Sequence, residues 1–100
     1  MEYKTTEELT EVFKETTTNM AETFAEKNHD YGNSFFVSLD KRGLVAALVR
    51  MEDKMNRLDS LSKQEAQVKD ESFIDTLLDL ANYSILTSMW LSNRVHKNIK

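Results

Sequence analysis

Apolar residues recur at helical spacing in three stretches of the chain. In the first, Leu9, Val12, Phe13, Met20 and Phe24 fall on one face, with Thr16 filling the gap in the series. The run "TTEE" places Thr5 three residues before Glu8, which predicts a capping box at the start of this helix. The pattern fades near Asn28, where the helix is expected to end. In the second stretch Leu44, Leu48, Met51, Met55 and Leu58 form a seam that continues to about Leu61, with Ser38 or Asp40 available as its N-cap. The third is expected to start at Asp70 as cap, with Glu71 beside the positive end of the helix. Beyond Asn82 it turns apolar on nearly every side, through Ile85, Leu86, Met89, Trp90 and Leu91.

Two polar segments separate these patterns. "NHDYGNSFF", from Asn28 to Phe36, is rich in residues that tolerate or stabilise non-helical backbone, and "SKQEAQVK", from Ser62 to Lys69, reads as a connector. The expectation is an all-α protein of three main helices in a single domain over residues 1–100. A helix that is apolar all round needs neighbours all round. A helical bundle completed by oligomerisation, as a homodimer or homotetramer, is therefore expected.

Composition narrows the classes of function. The chain has 13 Lys and Arg against 17 Asp and Glu, a net charge of −4, so nothing overall favours a nucleic-acid polymer as partner. It has no cysteine, which removes disulfides, thiolate metal sites and a Cys nucleophile. No apolar run approaches the roughly 18 residues of a membrane span, and the N-terminus has no signal-like apolar region. A cytoplasmic protein without a membrane partner is expected.

The candidate chemistry lies in the acids. At about 100° per residue, Glu71, Asp75, Asp79 and Asn82 fall within about 80° of one another on the third helix. Glu52 and Asp53 stand on the second. Carboxylates that converge beside a packed seam repel unless a cation or proton lies among them, and Mg²⁺ suits such a site because it takes oxygen ligands and also binds substrate phosphates. The plainer reading makes Glu71 a helix N-terminal acid, Asp79 a solvent-facing residue and Glu52 one half of an ion pair. Arg50, Lys54 and Arg57 are phosphate candidates or solvated helix charges. His29 and His96 fall in a loop and a tail and read as surface histidines, and the Met residues and Trp90 read as core.

"MEDKMN" from Met51 to Asn56, followed by "ESFIDTLLDLAN" from Glu71 to Asn82, resembles the MazG-like all-α nucleoside triphosphate pyrophosphohydrolases. Their signature is an EExxE motif, a spacer, and an acidic motif followed by an Asn. With "KNHDYGNSF" from Lys27 to Phe35, the pattern looks more narrowly like the nucleotide modification associated domain 1 family, frequent in phages and bacteria. The resemblance implies a MazG-like bundle and a nucleotide ligand. It implies Mg²⁺ held by Glu52, Asp53, Glu71 and Asp75 as the catalytic and metal residues, with Asn82 in the nucleotide site. Two departures stand out: Asn56 occupies the place of the third acid of EExxE, and the second motif is spaced ExxxD rather than ExxD.

In "KNHDYG", Lys27 can meet a phosphate, Asp30 can accept hydrogen bonds from a base or ribose, Tyr31 can stack on a base, and Gly32 permits close backbone approach. The alternative is a turn in which Asp30 caps backbone, Gly32 supplies positive φ and Tyr31 joins the core. Asn56, Arg57, Asp79 and Asn82 complete the expected ligand-binding set. Three functions follow. The leading one is a Mg-dependent nucleotide phosphoanhydride hydrolase. The second is a non-catalytic binder that sequesters a nucleotide-derived immune signal, cyclic or of ADP-ribose type, for a phage in its host's cytoplasm, and the Asn56 departure favours it. The third is a purely structural helical module.

Overall fold

The computed structural model describes residues 1–64 and 66–97, with the side chains of 66–70 outside the description. Among the described residues every regular element is helical: α1 (Thr6–Tyr31), α2 (Ser34–Arg42), α3 (Val45–Leu61) and α4 (Ala66–Leu91). They fall into two compact units, Met1–Gly32 and Asn33–Lys100.

The first unit is α1. Its start is the expected capping box: the Glu8 N–H donates to the Thr5 hydroxyl at 3.1 Å, and the Thr5 N–H donates to the Glu8 carboxylate at 2.9 Å. Glu7 and Glu8 also place negative charge against the positive end of the helix dipole. The hydroxyls of Thr10, Thr16 and Thr17 donate to carbonyls one turn back, so these threonines serve the helix itself. Gly32 closes α1 in the left-handed conformation (φ 59°), its N–H donating to the Asn28 carbonyl. No residue of α1 is buried, and Phe13 is 70% exposed.

The second unit is built on α3 and α4. Phe35 and Leu39, one turn apart on α2, join Ala47, Leu58 and Leu61 of α3 and Leu86 of α4 in a small core. Thr76 and Thr87 are buried with them, and each hydroxyl is satisfied by the carbonyl four residues earlier, of Ser72 and Tyr83. Gly43 ends α2 at φ 74° and ψ −166°, and only Leu44 separates it from α3. That backbone region is essentially restricted to glycine.

The helices differ from the expectation in number and bounds. There are four rather than three, because the segment from Asn28 to Phe36 is not one long break. Only Gly32 and Asn33, both left-handed, leave the helical conformation there. α1 thus runs to Tyr31, three residues past Asn28, and α2 is a helix in its own right. Ser38 and Asp40 lie inside α2 and cap nothing, because the buried Phe35 and Leu39 require helix across them. Likewise the connector is shorter than Ser62 to Lys69, since α4 begins at Ala66, and Asp70 is inside the helix rather than its cap. α3 ends at Leu61 as expected. Its contact face departs in part from the expected seam: Leu58 and Leu61 are buried as expected and Met51 is half-buried, but Leu44, Leu48 and Met55 are exposed, and Ala47, outside the seam, is buried. Of the apolar end of α4, Leu86 is buried, Met89 and Trp90 are half-buried, and Ile85 and Leu91 are exposed.

Leu39 has no exposed surface, and Leu39→Ala is expected to lower unfolding stability by about 2–5 kcal/mol in a denaturant titration. Gly43→Ala is expected to cost about 1–3 kcal/mol through backbone strain alone, since an added methyl there meets no atom within 4 Å.

Candidate functional site

Three cations, Arg50, Lys54 and Arg57, are spaced along one face of α3, and each is met by a residue of α4. Lys54 Nζ donates to the Asp79 carboxylate at 3.0 Å. Arg57 Nε donates to the Thr76 hydroxyl at 3.2 Å. The Arg50 guanidinium lies 5.9 Å from the Tyr83 ring and 5.7 Å from Phe35, the distance of a cation–π contact. Each step forward along α3 is matched by an equal step backward along α4, which fixes the two helices as an antiparallel pair.

The three cations are held differently. Lys54 is neutralised by a half-buried carboxylate. Among the described residues, Arg50 and Arg57 form no ion pair. Arg57 uses Nε on Thr76, which orients its plane and leaves the two terminal nitrogens for a bidentate acceptor. Arg50 rests on an aromatic pair, Phe35 and Tyr83, whose ring centroids are 5.2 Å apart.

The predicted site residues separate. Asp79 is brought against α3 by Lys54, and Asn82 is half-buried beside it on α4. Glu71 and Asp75 are exposed on the flank of α4. Glu52, Asp53 and Asn56 are exposed on α3. At about 100° per residue, Glu52 and Asn56 stand roughly opposite Lys54 and so face away from α4. Among the described residues, no three carboxylate or imidazole groups come together to hold a metal ion. Lys27, Asp30, Tyr31 and Gly32 belong to the first unit. There Tyr31 is 69% exposed and Asp30 pairs with His29 at 3.6 Å.

A second polar cluster lies outside the predicted set. Asp40 on α2 accepts the Trp90 indole N–H on Oδ1 and the His96 Nε2 on Oδ2, both at 2.9 Å. A carboxylate only accepts, so Nε2 of His96 carries the proton. Trp90 above all, and then His96, hold the Asp40 carboxyl below the usual carboxylate range, against an opposing push from desolvation.

Sequence reasoning named the cations of the α3 row but missed Phe35, Thr76 and Tyr83. The usable signal was complementary spacing: Arg50, Lys54 and Arg57 on one helix, and Thr76, Asp79 and Tyr83 on the other, each recur at steps of three or four.

The sequence profile of nucleotide modification associated domain 1 matches residues 27–91. The chain belongs to that family. The matched span contains α2, α3 and α4 entire and only the last turn of α1. Every contact of the cationic row therefore lies within the nucleotide modification associated domain, while His96 lies beyond it. No curated protein and no solved structure matches the chain. No helix among the described residues is long and apolar enough to cross a membrane.

Thr76 is 2% exposed and both donates and accepts. Thr76→Val should lower stability by about 1–3 kcal/mol, because Arg57 loses a partner inside the contact. Lys54→Met should cost no more than about 1 kcal/mol. Urea titrations of the two variants compare them directly. A carboxyl held below its ordinary range contributes stability that is present above the unfolded value and lost as pH falls through the folded one. Asp40→Asn should therefore flatten the acid limb of the pH–stability curve below about pH 4.

Proposed function

We propose that this nucleotide modification associated domain protein binds a nucleotide or nucleotide-derived molecule through its phosphates, on the α3–α4 face of the second unit. The observation that carries the reading is the state of the two arginines: Arg57 is oriented by Thr76, its terminal fork open among the described residues, and Arg50 is braced on Phe35 and Tyr83. Guanidinium held in plane loses less freedom when it grips a phosphate, and two such groups set the orientation of a ligand. They stand seven residues apart, roughly 10 Å along the helix. Asn82 and Asp79 supply the adjoining hydrogen-bonding groups, and Asn56 remains a candidate on α3; Lys27, Asp30, Tyr31 and Gly32 are a separate candidate set on the first unit. Binding without chemistry, as in sequestering a nucleotide-derived immune signal, is the form this arrangement supports best. Its polar centre is cationic, with Lys54 paired to Asp79 between the two arginines.

A hydrolase is the second reading, favoured by one observation. Glu52, Asp53, Glu71 and Asp75 are all exposed and, among the described residues, form no ion pair. Within one chain they do not gather into a donor set that fits Mg²⁺, so no step is routed through a metal here. This reading needs the oligomer, with a MazG-like bundle assembled between chains. The exposed Ile74, Leu77, Leu78 and Ile85 of α4 support such an assembly.

The test is mass spectrometry of a nucleotide mixture, including cyclic and ADP-ribose-type species, incubated with the protein and filtered, with and without EDTA. Retention of an intact species that survives EDTA is the expected result. Arg57→Ala and Arg50→Ala should each weaken it roughly tenfold or more. Appearance of monophosphate and pyrophosphate that EDTA abolishes would replace the binder with the hydrolase.

A further inference from the structure

The chain after α4 is folded back by a defined turn. Asn93 adopts the left-handed conformation (φ 59°), its N–H donates to the Trp90 carbonyl, and the Arg94 N–H donates to the Met89 carbonyl. This pair of bonds is a Schellman motif, here closed by Asn in place of Gly. Val95 is half-buried just past it, and the next residue is His96. The turn thus delivers the imidazole to the free oxygen of Asp40, whose other oxygen is already taken by the Trp90 indole. One carboxylate of α2 ties together the last turn of α4 and the segment that follows it.

We propose that His96 and Asp40 form a proton-operated clasp, which fastens the segment after α4 to α2 while the imidazole is charged and loosens it when the imidazole becomes neutral. Histidine in general changes charge near pH 6.5, within the range a cell experiences. A charged ring gives Asp40 a charge-assisted bond, whereas a neutral ring keeps a single N–H that either nitrogen can carry, so the charge and the assured donor on Nε2 are both lost. The other charges nearby in sequence are Lys41 and Arg42 on α2 and Arg94 and Lys97 after α4. The last turn of α4 (Met89, Trp90, Leu91) bears none, and among the described residues the ion pair of Asp40 is with His96. The hold on the Asp40 carboxyl below the usual carboxylate range, from Trp90 first and then His96, agrees with this geometry. The clasp is independent of the nucleotide reading, since His96 lies past the matched span and outside the cationic row.

Trp90 is the only tryptophan of the chain, so its emission reports this junction without a label. The chain's other histidine, His29, is removed from the background by His29→Gln. In that full-length protein, Trp emission and amide-exchange protection over residues 92–97 are followed from pH 5.5 to 8.5. A single emission transition near neutral pH is expected. Protection corrected for intrinsic exchange should fall by roughly two- to fivefold across it, the scale of one exposed ion pair. Both changes should vanish in His96→Gln, an exposed and conservative replacement, and in Asp40→Asn. A transition that persists in His96→Gln, or protection that is the same at both ends of the range, would overturn the clasp.

Discussion

The contact between α3 and α4 is the constraint on which the second unit depends. Two helices joined by a short connector can lie antiparallel only if each presents a face the other can bury, and here those faces are small. Ala47, Leu58 and Leu61 are the buried residues of α3, and Thr76, Leu86 and Thr87 those of α4. With so little apolar area available, the polar residues that edge the contact must be satisfied inside it. They are: no buried side-chain nitrogen or oxygen among the described residues lacks a hydrogen-bond partner. α2 then closes one side with Phe35 and Leu39, and the Gly43 corner lets it fold onto a surface that α3 and α4 have already defined.

The same constraint explains why the chemistry sits where it does. A cation at the edge of a helix pair is held by what faces it, and the three on α3 face a carboxylate, a hydroxyl and a ring. The carboxylate cancels one charge, while the hydroxyl and the ring orient the other two without cancelling them. The acids that dominate the sequence motif, Glu52 and Asp53 on α3 and Glu71 and Asp75 on the flank of α4, are exposed instead. Their use depends on what approaches from outside, whereas the arginines are prepared within the chain. Phe35 and Asp40 share α2, so the aromatic support of Arg50 and the clasp at His96 act on one short helix from its two ends.

Local signals in the sequence were legible where backbone chemistry decides them. Thr5 and Glu8 cap α1 because their reach is set within four residues, and Leu61 ends α3 because the polar run after it offers nothing to bury. The all-α class follows from the same periodicity. α2 was obscured because only Phe35 and Leu39 mark its buried face, and turn-favouring residues crowd its approach. The true face of α3 was obscured by size: Leu48 and Met55 look more like core than Ala47, yet the small residue has no exposed surface and the large ones remain open. Thr76 and Tyr83 became part of the site only through the pairing of two helices, and Asp40 joins His96 across 56 residues. No local window contains such information.

The acids of α4 recur every fourth residue at Glu71, Asp75 and Asp79, with hydroxyls at Ser72 and Thr76 spaced the same way. Slide α4 one turn along α3, and Lys54 would meet Asp75, Arg57 would meet Ser72, and Arg50 would meet Asp79. The polar row is therefore a vernier with more than one coincidence, and it selects a face without selecting a position. Position is read by the apolar side, where the present alignment sets Ala47 opposite Leu86 and a one-turn slide would set it opposite Asn82. The choice between two similar alignments of charge is thus left to the buried apolar residues, Ala47, Leu58, Leu61 and Leu86.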